Sequence, residues 1–412
     1  MATKRVHQAD VGSDVVSSVL LPLVDTTSWL WNGINRGYLA QNDIVTSITQ
    51  AWNSAAFDYA TSTMHVCAAG GHGDSWNNQC FRIQIPNGSW VQTKAQTPWG
   101  PPDIHVSGYN PVNEEADTTP TAGTGYSTAG PASPVNPRVN RNMSVLNTGQ
   151  GIYYNSDPVS RHTYQSPVWL PTQQRVMIMG GACWSSGNPD NYVGWFDPVA
   201  GTWTSKAAAP HYGVFFSVYD NTRDVVWYTT WPLNYVYKYT PASDTHTLYA
   251  SDPVLIQTQA TYVSIAMTGD GHYLYATHWN GFRSRYGWPN APSTWDNAVA
   301  RLDLTQPLGT QTWQPIKVSG DTTGLFGQPP GFEWDPDKNA FVLWTADDPA
   351  NMSVLRIADH HIYRVPIKGT GPTSVDVTAT SFGVWGRFRR YGAHQYCLMA
   401  SASSPIYLIT LK

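Results

Sequence analysis

The chain has 412 residues, enough for a large core, but only 13% are charged, while 19 Trp, 23 Tyr, 34 Gly and 30 Pro make it rich in rings and turns. A net charge of -4 without Lys/Arg runs leaves no footprint for a phosphate backbone and argues against a nucleic-acid partner. Cys67, Cys80, Cys183 and Cys397 lack C-x-x-C spacing, which removes zinc knuckles and thioredoxin-like redox sites, and no apolar run is long enough for a membrane-spanning helix.

The first apolar run, "VVSSVLLPLV" (Val15 to Val24), is short. Asp10 and Asp14 separate it from Lys4 and Arg5, unlike a secretory signal. Residues 1–25 are therefore expected to form an arm able to anchor the chain to other proteins of an assembly, and residues 26–412 a single domain.

From Ser54 onward one pattern recurs: an apolar run, a turn, a second apolar run of about six residues, then a loop. Its six copies are "SAAFDYATSTMHVCAAGG" (Ser54 to Gly71), "SPVWLPTQQRVMIMGG" (Ser166 to Gly181), "FFSVYDNTRDVVWYTTW" (Phe215 to Trp231), "VSIAMTGDGHYLYATHW" (Val263 to Trp279), "GFEWDPDKNAFVLWTAD" (Gly331 to Asp347) and "GRFRRYGAHQYCLMASA" (Gly386 to Ala402). A third strand-like stretch follows each, as in "NQCFRIQI" (Asn78 to Ile85), "NYVYKYTP" (Asn234 to Pro241) and "SPIYLITL" (Ser404 to Leu411). The first five units continue into a fourth short strand, with Trp90, Trp203 and Trp313 recurring there. Four strands per unit, with inner runs apolar on both faces, predict an all-β, six-bladed β-propeller of four-stranded blades; seven blades is the alternative count. The sixth unit reaches Lys412 after three strands, so the N-terminal region, with "TSWLWNGIN" (Thr27 to Asn35), is expected to close the ring. A long Pro-, Gly-, Ser- and Thr-rich loop insertion is expected at about 98–160.

The glycine pairs, the aromatic strand ends and the Trp of the fourth strand resemble kelch repeats. More closely, "GGHGDSWNN", "RHTYQSPVWLP" (Arg161 to Pro171) and the terminal "GRFRRYGAHQYCLM" with "IYLITL" resemble a group of bacterial and phage-type kelch-repeat proteins without an established activity. The resemblance covers roughly Trp52 to Lys412 and implies the same propeller.

In such blades the loop between strands two and three and the connection into the next blade emerge on one face. That face is expected to collect His72, Asp74 and Trp76, then Arg161, His162 and Tyr164, then Trp184, His211, Tyr212, Trp231, His278, Trp279 and Arg387, with Cys183 and Trp385 beside them. Rings flanked by polar side chains suit sugars, whose apolar C–H faces stack while hydroxyls need polar partners. These thirteen residues are the expected ligand-binding set, although each ring read singly is as well placed as core between blades.

His72 and Asp74 are a metal-ligand pair, a base with its orienter, or simply turn residues bonding backbone groups. "GGHGD" is no phosphate loop, because no Lys-Ser/Thr follows it and it leads into a strand. Arg161 and His162 open an innermost strand, and Arg387 repeats the position; each Arg either faces the channel or bonds carbonyls of neighbouring blades. Cys67 and Cys80, symmetric about the first loop, form either a strained disulfide or two buried thiols.

The expected function is that of a noncatalytic recognition or structural propeller that binds a glycan or cell-surface ligand, extracellular or on a phage virion. Other virion proteins would be met through the arm. No metal set or cofactor is assigned. The alternative is a polysaccharide lyase for uronate-containing glycans, with Arg161 or Arg387 neutralising the uronate and His162 or Tyr212 moving protons. A copper-radical oxidase would need Cys183 beside a Tyr plus two His, and no spacing specifies it.

Overall fold

The computed structural model describes residues 52–70, 78–86, 88, 90–95, 157–183, 189–230, 235–251, 263–277, 299–322, 328–369, 371–372, 383–400 and 406–410. The expected arm, the expected closing segment Thr27 to Asn35 and most of the 98–160 insertion lie outside them.

Six sheets follow one another along the chain in the expected order. Blade one comprises Ala56–Asp58, Thr63–Cys67, Cys80–Gln84 and Val91–Lys94. Blade two comprises Val168–Leu170, Arg175–Met179, Val193–Asp197 and Thr202–Ser205. Blade three has Val214–Asp220, Val225–Thr230, Tyr235–Thr240 and Thr245–Ser251, and blade four Ser264–Met267, Tyr273–Thr277, Val299–Asp303 and Gln314–Ile316. Blade five has Gly331–Asp335, Ala340–Trp344, Asn351–Arg356 and His361–Pro366, to which Ser319–Gly320 adds in parallel. Blade six shows Phe388–Gly392, Gln395–Met399 and Ile406–Thr410 among the described residues.

The burial of each strand follows its sequence. Second strands such as Val225–Thr230 are buried on both faces, third strands such as Val193–Asp197 alternate, and the outer Thr202–Ser205 is mostly exposed. An aspartate ends several first strands and fixes the turn that follows. Asp58, Asp220 and Asp335 each accept the backbone N–H two residues on, from Ala60, Thr222 and Asp337, at 3.0, 2.9 and 3.0 Å.

First strands of successive blades lie against one another from blade one to blade six. Apolar clusters join blades one and two around Trp169 and Phe196, two and three around Tyr228 and Tyr239, and three and four around Trp227 and Ile265. Others join blades four and five around Phe341, five and six around Trp344 and Tyr396, and six and one around Phe81 and Met399. The last interface closes the ring, helped by Gly386 N–H donating to Ser54 Oγ at 2.9 Å and Arg389 Nη2 donating to Ala55 O at 3.0 Å. The result is a six-bladed β-propeller, with burial of both faces of every blade as its main source of stability.

Candidate functional site

The segments leading into the first strands converge on the axis at the expected face. Trp52, ahead of blade one, packs against His162, Tyr164 and Trp385 with centroid separations of 6.3, 5.9 and 6.1 Å. Tyr164, ahead of blade two, meets Trp385, ahead of blade six, at 5.7 Å and Phe215 of blade three at 4.2 Å. Blades two and six are not neighbours, so their rings can meet only across the axis. Trp385 Nε1 also donates to Val263 O of blade four at 2.8 Å, and the Gln165 amide pairs with both backbone groups of Ile265 at 2.6 and 2.8 Å. The channel is therefore plugged at this end. Trp385 is 1% exposed, whereas Trp52 is only partly buried and carries the cluster to the surface.

Two of these rings sit on unusual backbone. Tyr164 has φ 46° and Trp385 φ 44°, the left-handed region that bulky residues avoid. Tyr164 is tied down by its N–H donating to Trp52 O at 2.7 Å, and the segment by Ser54 N–H donating to Thr163 Oγ1 at 3.0 Å. Bonds on either side thus hold a conformation that costs on the order of 1 kcal/mol or more per residue and recurs at ligand-binding positions.

Arg161 and Arg387 flank this cluster, and both are fully buried. A short ladder pairs Arg161 with Cys183 and His162 with Ala182. Arg161 Nη1 donates to both Asp190 oxygens at 3.0 Å and to Gly180 O at 2.7 Å, and Nε donates to Val159 O at 3.2 Å. The Cys183 thiol donates to the same carboxylate at 3.1 Å. Burial works against the Arg161 charge, but Asp190 outweighs it and holds the guanidinium above its ordinary pKa; burial pushes the Cys183 thiol up. Arg387 donates to Ala400 O at 3.2 Å and to Gly383 O, and burial lowers it to about 9. Each Arg does bond carbonyls, but these belong to its own lead-in and blade and not, as expected from sequence, to neighbouring blades.

The four residues of the expected lyase set are engaged in different places. Arg161 bonds within the lead-in and hairpin of blade two, Arg387 within blade six, His162 packs under Trp52, and Tyr212 is 46% exposed. His211 stacks on Tyr235 at 4.6 Å and 3°, starting a ring ladder that continues through Tyr237 to Tyr228. His72, Asp74, Trp76, Trp184, Trp231, His278 and Trp279 lie outside the described residues.

Cys67 and Cys80 face each other in register, as their symmetry about the loop predicts, and are free, buried thiols. Among the described residues one trio brings ligand atoms together, Asp335, Asp337 and His394, within 4.8 Å. The guanidinium of Arg390 already lies against it, with Nη2 2.8 Å from Asp337, and Tyr396 and His394 donate to Asp335 at 2.6 and 3.0 Å. A side-chain cation thus does there what an ion would do.

Sequence reasoning missed Trp52, read only as a unit boundary, and Asp190, the partner of Arg161. The one signal for Asp190 was an acid closing the loop after the glycine pair, a position from which it can reach back to the lead-in strand.

No protein-family model matches the chain, and no curated protein matches it. Among solved structures it is similar to a GH74 enzyme of Niastella koreensis, at 12% identity and a TM-score of 0.39, over 81% of this chain and 41% of that one. It is also similar to an auxiliary nutrient binding protein from Bacteroides thetaiotaomicron, at 10% identity and a TM-score of 0.45, over 89% of this chain and 70% of that one. The chain thus spans less than half the length of the GH74 enzyme. Neither likeness bears on what this chain binds or does.

Proposed function

We propose that the protein is a noncatalytic recognition propeller of the kelch type, binding a glycan or another cell-surface ligand from outside the cell or from a virion. The observation that supports this reading is the aromatic cluster of Trp52, His162, Tyr164 and Trp385, two of whose rings are held on left-handed backbone where the lead-ins to the first strands converge. A rigid aromatic surface gives a sugar C–H faces to stack on while losing little rotamer freedom of its own. Against the lyase alternative, Arg161 is committed to Asp190 and cannot neutralise a uronate without breaking a buried ion pair.

A glycan array and a pull-down with purified cell walls test the reading, using the intact chain and the variants Trp184→Ala and Trp279→Ala. Binding that either variant weakens is the expected result. No retention on any glycan or wall preparation overturns it, as does accumulation of unsaturated uronate during incubation with acidic polysaccharides. The arm is proposed to meet other virion proteins; its deletion should abolish incorporation into particles and leave the propeller folded.

A further inference from the structure

A polar contact between blades one and five, which are not neighbours, also crosses the axis. Tyr59 follows the first strand of blade one, Glu333 lies in that of blade five, and Arg389 in that of blade six. The Tyr59 hydroxyl donates to Glu333 Oε2 at 2.8 Å, and Arg389 Nη1 donates to Oε1 at 2.6 Å. Arg389 is itself fixed by donating through Nη2 to Ala55 O and through Nε to Gly386 O, both at 3.0 Å. Glu333 is 5% exposed, but Tyr59 is 51% exposed, with its ring edge-on to Phe57 at 5.1 Å.

Burial is the largest cause raising the Tyr59 pKa, and Glu333 is the next. The ring is thus half open to water while its hydroxyl is tied to a buried carboxylate. The phenol stays protonated throughout the physiological range and acts as a donor, so it is equipped to bind and not to abstract a proton. Tyr59 belongs to the turn after the first strand of blade one, away from the plug of Trp52, Tyr164 and Trp385, whereas the Arg389 guanidinium reaches back to Gly386 O beside Trp385.

We propose that the surface beside Tyr59 and Glu333 is a binding site for an uncharged sugar ring, separate from the cluster around Trp52. Three features of the set select that class. The Tyr59 ring offers a flat apolar surface already fixed by its hydroxyl bond, so stacking a sugar on it freezes little further motion. The carboxylate of Glu333 offers about four acceptor positions, of which Tyr59 and Arg389 take two, leaving the others for ligand hydroxyls. Glu333 and Arg389 cancel in charge, so an anionic ligand would meet the carboxylate and a cationic one the guanidinium, while a neutral one meets neither penalty.

The site goes beyond the recognition reading above, and the two can fail separately. Isothermal titration calorimetry of the full chain would use the methyl glycosides of glucose, galactose, mannose and N-acetylglucosamine, with glucuronate and glucosamine as charged counterparts. At least one neutral glycoside should bind. Tyr59→Ala should weaken it by about tenfold or more, Tyr59→Phe by less because the ring remains, and Val199→Ala, in an exposed outer turn of blade two, not at all. The charged sugars should bind more weakly than their neutral parent. Circular dichroism checks that each variant is folded; should Tyr59→Ala not fold, Tyr59→Leu keeps apolar volume without the flat face.

No binding of any glycoside, equal affinity in the Tyr59 variants, or preference for a charged sugar overturns the Tyr59 site. Array binding lost in Trp184→Ala but unchanged in Tyr59→Ala leaves the recognition face standing without it. Glycoside binding lost in Tyr59→Ala, with silence on every array glycan and wall preparation, has the reverse meaning.

Discussion

Replacing Asp190 with asparagine should cost about 3–5 kcal/mol of folding stability, because it leaves the guanidinium of Arg161 buried without its counter-charge. The carboxylate accepts Arg161 Nη1 on both oxygens at 3.0 Å, the Cys183 thiol at 3.1 Å and the Tyr192 N–H at 3.3 Å. At 3.0 Å the charge pair alone is worth about 5 kcal/mol at an effective dielectric of about 20, in line with the cost of breaking other buried pairs. Asparagine keeps one acceptor but turns an amide toward the arginine donors. Equilibrium urea unfolding of the wild type, Asp190→Asn, Arg161→Met and the double variant Arg161→Met/Asp190→Leu measures this directly. The double variant should lie much closer to the wild type than Asp190→Asn does, because neither charge remains to be buried alone. A loss below about 1 kcal/mol in Asp190→Asn, or a double variant as weak as the two singles added, would refute the argument.

Three further outcomes follow from named contacts. His65 stacks on Trp169 at 5.0 Å and 2°, and burial, the largest cause, lowers its pKa to about 4. The unfolded chain therefore takes up a proton near pH ~6.5 that the folded chain refuses, and stability should fall by up to about 3 kcal/mol as pH drops from ~6.5 to ~4. In His65→Phe, which keeps the stack, unfolding at a series of pH values should show a shallower slope, and an unchanged slope would exclude this origin. Tyr164→Gly should be more stable than Tyr164→Ala by about 1 kcal/mol, since only glycine accepts φ 46° without strain; equal melting temperatures would mean the backbone relaxes. Asp220→Ala should cost about 2–4 kcal/mol, because it strips Trp227 Nε1 of its acceptor at 3.0 Å and the turn of its bonds to Thr222; a urea midpoint within error of the wild type contradicts that.

The blades were legible because each strand announces itself locally. "FVLW" between turn residues in Ala340–Trp344 and the alternation of Val193–Asp197 specify strands whatever the rest of the chain does. The side-chain contacts across the axis were not legible. Tyr59 and Glu333 are 274 residues apart, and Gln165 and Ile265 are 100 apart, so nothing in local spacing pairs them until the ring closes. Arg161 and Arg387 illustrate the limit, since both precede or open a first strand and read alike in sequence. One is held by a carboxylate and the other by the carbonyls of Ala400 and Gly383, a difference set by Asp190 in a separate loop. The parallel addition of Ser319–Gly320 to blade five was equally invisible, because two exposed residues carry no periodicity.

The plug at one end of the channel has a geometric consequence for anything that enters from the other. Among the described residues, rings that meet across the axis at 5.7 Å occupy it at their level. A polymer would have to displace them to thread the ring, so the site proposed beside Tyr59 suits a free end or a small molecule that leaves by the way it came in.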